Sequence, residues 1–220
     1  MRVVIVEDHV LLAESLALAL RLEGHDATRL PLDTELATPS EVLTAVVRSR
    51  PDVVVLDLDL GARLSGRDLV MPLSAAGAAV MVVTADPDRI EWGGCLLLGA
   101  RGVLSKCTPL GEMVAAVRRV GEGLPVQSRA ERDELVARWQ AQRVETVAER
   151  ERLSRLTPRE REVLAELASG LPIHDIADAD VVSEATVRTQ VKSILGKLEV
   201  RTQLAAVGLL HRHEHNRAVG

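Results

Sequence analysis

Through the first half of the chain, short uninterrupted apolar runs alternate with stretches whose apolar positions fall three and four apart. Residues 3–6, 53–56 and 79–83 contain no polar side chain, the pattern of strands covered on both faces of a sheet. Residues 27–30 and 102–104 predict two shorter strands. Between them, 10–22 carries Leu12, Leu16, Ala19 and Leu20 at helical spacing, and Gly24 closes the helix. Residues 41–50 predict a helix with Val42, Ala45 and Val46 inward, stopped by Pro51. Residues 66–76 and 110–120 predict two more, the second with Leu110, Met113, Val114 and Val117 on one side. A helix over 87–98 is weakened by the adjacent Gly93 and Gly94. Five strands alternating with five helices predict a doubly wound, flavodoxin-like α/β fold on a parallel sheet. In such folds, sites lie at the carboxyl ends of the strands.

Beyond residue 121 the pattern changes. Residues 128–154 are dense in Arg, Glu and Ala without Pro or Gly, which predicts one long charged helix. Leu135, Val136, Trp139 and Val147 give it a partial apolar stripe, either a coiled-coil seam or a docking surface, and Arg143 and Arg150 interrupt the seam. From Leu156 only helical spacing remains. Thr157, Pro158 and Glu160 form a capping box with Pro at the first helical position, and Gly170 ends that helix. Pro172 starts a short helix ending near Asp178, and Ser183 caps another running to about Leu198. Short helices with a tight turn before the last describe a helix-turn-helix, and 201–212 predicts a further helix. The expected organisation is an α/β domain at 1–121, a helical linker at 122–154 and an all-α domain at 155–220.

Composition narrows the function classes. Of 220 residues, 47% are hydrophobic, enough for packed cores. The longest uncharged apolar run, 75–85, falls well short of the ~18–20 residues a membrane helix needs, so no membrane span is expected. Glu7 and Asp8 come directly after a short strand, which argues against a signal peptide, and Cys95 and Cys107 form no disulfide framework; both point to the cytoplasm. The chain has no Phe or Tyr and only two Trp, which largely rules out aromatic stacking on bases as a binding mode. The net charge of −5 divides as −4, −1 and 0 over the three segments, so any DNA contact must come from a local arrangement.

The predicted strand ends carry a distinctive residue set: Glu7 and Asp8 after strand one, Asp57 at strand three, Thr84 at strand four and Lys106 at strand five. A parallel sheet brings these to one edge, where three carboxylates call for a hard divalent cation such as Mg²⁺ or Mn²⁺. With a hydroxyl and a Lys beside it, Asp57 is equipped to become an acyl phosphate by in-line attack. Residues 1–121 resemble a response-regulator receiver domain through Val-Ile-Val-Glu-Asp-His at 4–9, Val-Val-Val-Leu-Asp at 53–57, Val-Val-Thr-Ala at 82–85 and Gly-Val-Leu-Ser-Lys at 102–106. The resemblance implies Asp57 as phosphoacceptor, Glu7 and Asp8 with Asp57 and the Asp59 backbone carbonyl as the Mg²⁺ site, and Thr84 and Lys106 as the groups that grip the phosphoryl group. Two positions depart from the family pattern. Val103 stands where the family usually has an aromatic that turns inward on activation, and Gly61 stands near the usual Pro. The Gly93–Gly94 pair is open to two readings: freedom for the fourth helix to move, or small residues at a tight contact.

In the second domain, Val187, Val191, Ile194, Leu195 and Leu198 fall on one helical face, with Arg188, Thr189 and Lys192 opposite beside Ala185 and Gly196. A small-residue strip flanked by cations fits the major groove. Residues 155–212 resemble the LuxR-type helix-turn-helix of NarL/FixJ response regulators, through the stretches 156–164, 183–191 and 197–202. That implies DNA contact by Arg188, Thr189 and Lys192, and pairing of two domains through the last helix, where Leu204, Val207 and Leu210 lie on one face. Asp180 stands where the family usually has a buried Leu. His211, His213 and His215 alternate near the C-terminus without a completing ligand and read as a polar tail.

Together these features predict a transcription factor controlled by phosphorylation from a sensor histidine kinase and acting on double-stranded DNA as a homodimer, not an enzyme. Two other readings stand beside it. Asp57-Leu58-Asp59 also resembles the haloacid-dehalogenase phosphatases, although their motif follows the first strand. Val103 favours a receiver that senses a protein or ligand without phosphorylation.

Overall fold

The computed structural model describes residues 1–31, 38–61 and 64–219, with side chains described up to Glu214. It separates into two compact units, Met1–Gln140 and Ala141–Gly220.

In the first unit the strands are β1 (Arg2–Val6), β2 (Asp26–Arg29), β3 (Val53–Asp57), β4 (Ala79–Thr84) and β5 (Gly102–Ser105). They form one five-stranded sheet in the order β2-β1-β3-β4-β5. Every pairing is parallel, with Val6 opposite Leu56, Asp57 opposite Val83, and Thr84 opposite Ser105. The helices are α1 (Val10–Leu22), α2 (Pro39–Arg48), α3 (Gly66–Ala75), α4 (Arg89–Leu97) and α5 (Leu110–Gly121). Strand periodicity sorts the core into two layers. Val4, Val6, Val54, Leu56, Val80, Val82 and Val103 face α2, α3 and α4. Val3, Ile5, Val53, Val55, Met81 and Val83 face α1 and α5.

The predicted elements are all present, with shifted ends. The second helix starts at Pro39, because Thr38 and Glu41 form a reciprocal capping box that makes Glu41 its third residue. It turns Val42 and Val46 inward, while Ala45, expected inside, is exposed. The last helix starts at Gln203, two residues later than expected.

The long charged helix α6 (Arg129–Ser154) contributes its first half to this unit. Its stripe is a docking surface for Leu135, which is buried, and for Val136, while Val147 is 60% exposed. The glycine pair in α4 is the tight-contact case: a Cβ on Gly93 would collide with the Leu135 carbonyl.

The second unit is helical: the second half of α6, then α7 (Pro158–Ala168), α8 (Ile173–Ala179), α9 (Glu184–Leu198) and α10 (Gln203–Val219). Its core joins Leu153, Leu156, Val163, Leu164, Leu167, Ile176, Val187, Ile194, Leu198, Ala206 and Leu209. No described helix is long and apolar enough to cross a membrane.

Candidate functional site

The strand ends meet as the parallel register requires. Asp57 closes β3 and is 1% exposed; Glu7 follows β1 and Thr84 closes β4, both 3% exposed. Lys106 follows β5, and its backbone N–H donates to the Thr84 carbonyl at 2.8 Å. Its Nζ then reaches across the sheet edge to Asp57 Oδ2 at 2.6 Å and Glu7 Oε1 at 2.9 Å. The Asp59 N–H donates to the other oxygen, Asp57 Oδ1, at 3.2 Å. Thr84 Oγ1 accepts from the Asp86 N–H at 3.1 Å.

Burial dominates the acidity of Asp57. It pushes the carboxyl up to about 6, with the Glu7 charge adding to the effect and the Lys106 hydrogen bond opposing it. Lys106 is held above its ordinary value: burial disfavours its charge, but the Asp57 and Glu7 hydrogen bonds outweigh that. Burial pushes Asp8 up too, yet its contacts with Glu7, His9 and Lys106 leave it lowered.

Two members of this pocket escape a reading of the sequence. His9 Nδ1 lies 3.0 Å from Glu7 Oε1 and 2.7 Å from Asp8 Oδ1, and the Glu7 contact leads in raising the imidazole pKa. Its position beside the acid pair was the only available signal. Gly66, legible only as a helix start, is the second. The loop after Asp57 folds back through an Asp59–Ser65 bridge, and the Gly66 N–H donates to the Leu58 carbonyl at 2.9 Å. A Cβ on Gly66 would collide with the Asp57 carbonyl, so only glycine lets the loop pass.

The donor set fits a small hard cation. Ligand atoms of Glu7, Asp8, His9 and Asp57 all lie within 4.8 Å of one another, and three of these groups are carboxylates.

In the second unit, Ser183 caps α9, its Oγ accepting from the Thr186 N–H at 3.1 Å. Val187, Ile194 and Leu198 are buried, Val191 and Leu195 pack beside them, and Arg188, Thr189 and Lys192 are exposed on the far side. Arg188 pairs with Glu184 at 2.8 Å, and the Thr189 hydroxyl donates to the Ala185 carbonyl at 2.9 Å. Asp180 is neither loose nor buried in the core: it forms an ion pair with Arg159. On α10, Leu204 is 82% exposed, whereas Val207 and Leu210 lean on the unit's own core beside the buried Ala206 and Leu209. His211 lies 3.8 Å from Glu214, and the His215 side chain lies outside the described residues.

Residues 3–118 match the model of the response regulator receiver domain, and residues 154–210 match that of the bacterial regulatory proteins of the luxR family. The chain belongs to the LuxR-type response regulators. Similar full-length relatives include the nitrate/nitrite response regulator protein NarP of Escherichia coli, 30% identical over 93% of this chain and 92% of its own. The DNA-binding transcriptional activator DevR/DosR of Mycobacterium tuberculosis is 31% identical over 93% and 92%. Among solved structures, the RcsB response regulator of Salmonella typhimurium shares the fold at TM-score 0.54 and 20% identity, over 96% of this chain and 99% of that one. This regulator thus joins a receiver to a LuxR-type DNA-binding domain in a family of transcription regulators, not enzymes. Asp57-Leu58-Asp59 belongs to a receiver and not to a phosphatase.

Proposed function

We propose that the regulator takes a phosphoryl group on Asp57 from a sensor histidine kinase in the cytoplasm and then binds specific double-stranded DNA as a homodimer. The single observation behind this reading is the buried Asp57–Lys106–Glu7 contact, with Nζ bridging two carboxylates at 2.6 and 2.9 Å. An Asp57 oxygen attacks phosphorus in line. The bond from phosphorus to the donor's leaving atom breaks, and that atom takes up a proton. Lys106 compensates charge on the transferred group and Thr84 Oγ1 donates to it. Glu7, Asp8 and Asp57 with the Asp59 carbonyl would hold Mg²⁺, which supplies electrostatic neutralisation of the phosphoryl oxygens. Receiver domains typically bind Mg²⁺ at an acidic pocket, and the acidic cluster here suits that ion.

Arg188, Thr189 and Lys192 form the reading face in this proposal, since they are exposed and opposite the buried stripe. Leu204, with Val207 and Leu210 behind it, supplies the pairing surface of the dimer. The DNA-binding role stated for the mycobacterial relative and the solved RcsB–DNA complex, of TM-score 0.50, are consistent with it.

The test is intact mass with acetyl phosphate and Mg²⁺. One added phosphoryl group is expected, lost in Asp57→Asn and in EDTA; labelling that survives either change sinks the assignment. On a selected operator, an Ala variant of a base-contacting Arg188 or Lys192 loses ~1–3 kcal/mol at one base pair. A phosphate contact instead weakens all sequences alike and lowers the salt slope by about one. Thr189→Ala shifts specificity more than affinity. Wild-type binding by all three variants overturns the reading face.

A further inference from the structure

The receiver's α4–β5 face is already covered, and its occupant is the regulator's own linker. β5 is an edge strand. Where a sixth strand would pair, the buried Gln127 side chain takes both peptide groups of Val103: its Nε2 donates to the Val103 carbonyl and its Oε1 accepts from the Val103 N–H at 3.3 Å. Beside it, Val126 presses against Gly102, where a Cβ would collide with its side chain.

The start of α6 then takes hold of α4 along its length. Glu131 forms an ion pair with Arg89 at the first residue of α4. Arg132 donates to the Leu96 carbonyl at 3.0 Å and the Ala100 carbonyl at 3.4 Å, satisfying acceptors at the far end. Between them Trp139 lies over the glycine pair: a Cβ on Gly94 would stand 2.6 Å from its Nε1, and the Arg67 guanidinium sits 5.7 Å from its ring. Three receiver glycines, Gly93, Gly94 and Gly102, thus meet residues of the 126–139 segment closely enough to leave no room for a methyl group.

The elements so held are chain neighbours of the two residues proposed above to grip the phosphoryl group. Thr84 ends β4 just before α4, and Lys106 directly follows β5, three residues after the clamped Val103. We infer that residues 126–139 are the output element of this receiver: they lie docked on α4 and β5 at rest, and the pull of a phosphoryl group on Thr84 and Lys106 loosens them. This rests on Asp57 being the phosphoacceptor. The mechanical reason is that a close-packed contact seated on glycines has no slack. A shift of β5 or α4 breaks the Gln127 pairing or the Trp139 seat rather than stretching it.

The test is hydrogen–deuterium exchange on the full chain, with intact mass measured on the same samples, before and after acetyl phosphate and Mg²⁺. In chains that gain one phosphoryl group, exchange across 126–139 is expected to rise by a factor of about 5 to 150, the usual span of allosteric coupling, with no rise in Asp57→Asn. Trp139 lies at this contact and Trp92 directly precedes its glycine pair in α4, so quenching of tryptophan emission by acrylamide should rise in step. Gly94→Ala should loosen the segment without any phosphodonor and still accept the phosphoryl group, and Gln127→Ala makes the same test without crowding α4. Phosphorylated chains in which 126–139 stays as protected as before overturn the inference and leave the Asp57 assignment standing. A chain that gains no phosphoryl group overturns both, and the mass tells the two failures apart.

Discussion

Asp57 and Glu160 are both buried carboxylates, and each holds a lysine Nζ at 2.6 Å, Lys106 in one case and Lys197 in the other. Their acidities nevertheless move in opposite directions. Burial works against the charge at both. At Asp57 it wins, because Lys106 is shared with Glu7, the Glu7 charge repels, and only the Asp59 N–H adds a donor. At Glu160 it loses: Lys197, the Thr157 N–H at 2.8 Å and Ser193 Oγ at 2.7 Å all donate, and the carboxyl falls to about 2. Glu160 is a lock between α7 and α9, while Asp57 is a carboxylate left short of donors beside Glu7, Asp8 and His9, a ligand set that suits a cation. The distance to the nearest lysine does not set the direction in which a buried carboxyl's acidity moves; the count of remaining donors and nearby like charges does.

The largest effect is expected from Gly66→Ala, which forces a methyl group against the Asp57 carbonyl. It should cost about 2 to 3 kcal/mol in the denaturation of the receiver and abolish phosphoryl uptake by mass. Retained labelling at normal stability would show that the pocket does not depend on that close approach.

Glu160→Gln should cost the second unit about 2 kcal/mol at pH 7, since the negative charge facing Lys197 and one of the two acceptor oxygens shared by Ser193 and Lys197 are lost. The folded pKa lies below the ordinary 4.5, so this stability is present above pH 4.5 and fades as pH falls toward about 2. Urea midpoints of wild type and variant should converge over that window.

Asp57→Asn should act in the opposite sense and stabilise the receiver, by about 1 kcal/mol at pH 7.5 in EDTA. The folded pKa, about 6, is raised above the ordinary 3.8, so the folded state is penalised as pH rises between those values and the full penalty stands above about 6. The advantage of Asn should shrink as pH drops below 6. A destabilised Asn variant would mean that Lys106 makes Asp57 a lock like Glu160.

The smallest effect concerns the turn before α9. Val181 is β-branched, has φ +57° and is 91% exposed, a conformation that strains such a residue with no packing in return. Val181→Gly should raise the second unit's stability by about 0.5 kcal/mol, the relief of strain exceeding the added freedom of the unfolded chain. Its thermal midpoint checks this, and an unchanged Glu160 pH response shows that the lock is independent of the turn.

Much of the regulator was legible beforehand because its chemistry sits at element boundaries that local pattern marks. The apolar runs before Glu7, Asp57, Thr84 and Lys106 placed these residues at strand ends, and a parallel sheet has only one edge on which strand ends meet. The opposition of Val187, Ile194 and Leu198 to Arg188, Thr189 and Lys192 followed from helical periodicity alone. Glu160, by contrast, was legible as a cap but not as a lock, since Ser193 and Lys197 lie more than thirty positions away. Gly66 and His9 carried no pattern of their own.

What the sequence determined by itself is therefore what nearest-neighbour geometry determines: the periods of 2 and 3.6, the caps, and the order of strands and helices. Tertiary structure alone decided which distant groups share a carboxylate. It made Asp57 and Glu160 differ in acidity, chose docking over a coiled-coil seam for Leu135 and Trp139, and gave Gly93, Gly94 and Gly102 their purpose. The physical reason is that burial, donor count and close approach depend on atoms brought together from all along the chain. Lys106 and Asp57 are 49 residues apart, and only the closed sheet sets them at hydrogen-bond distance.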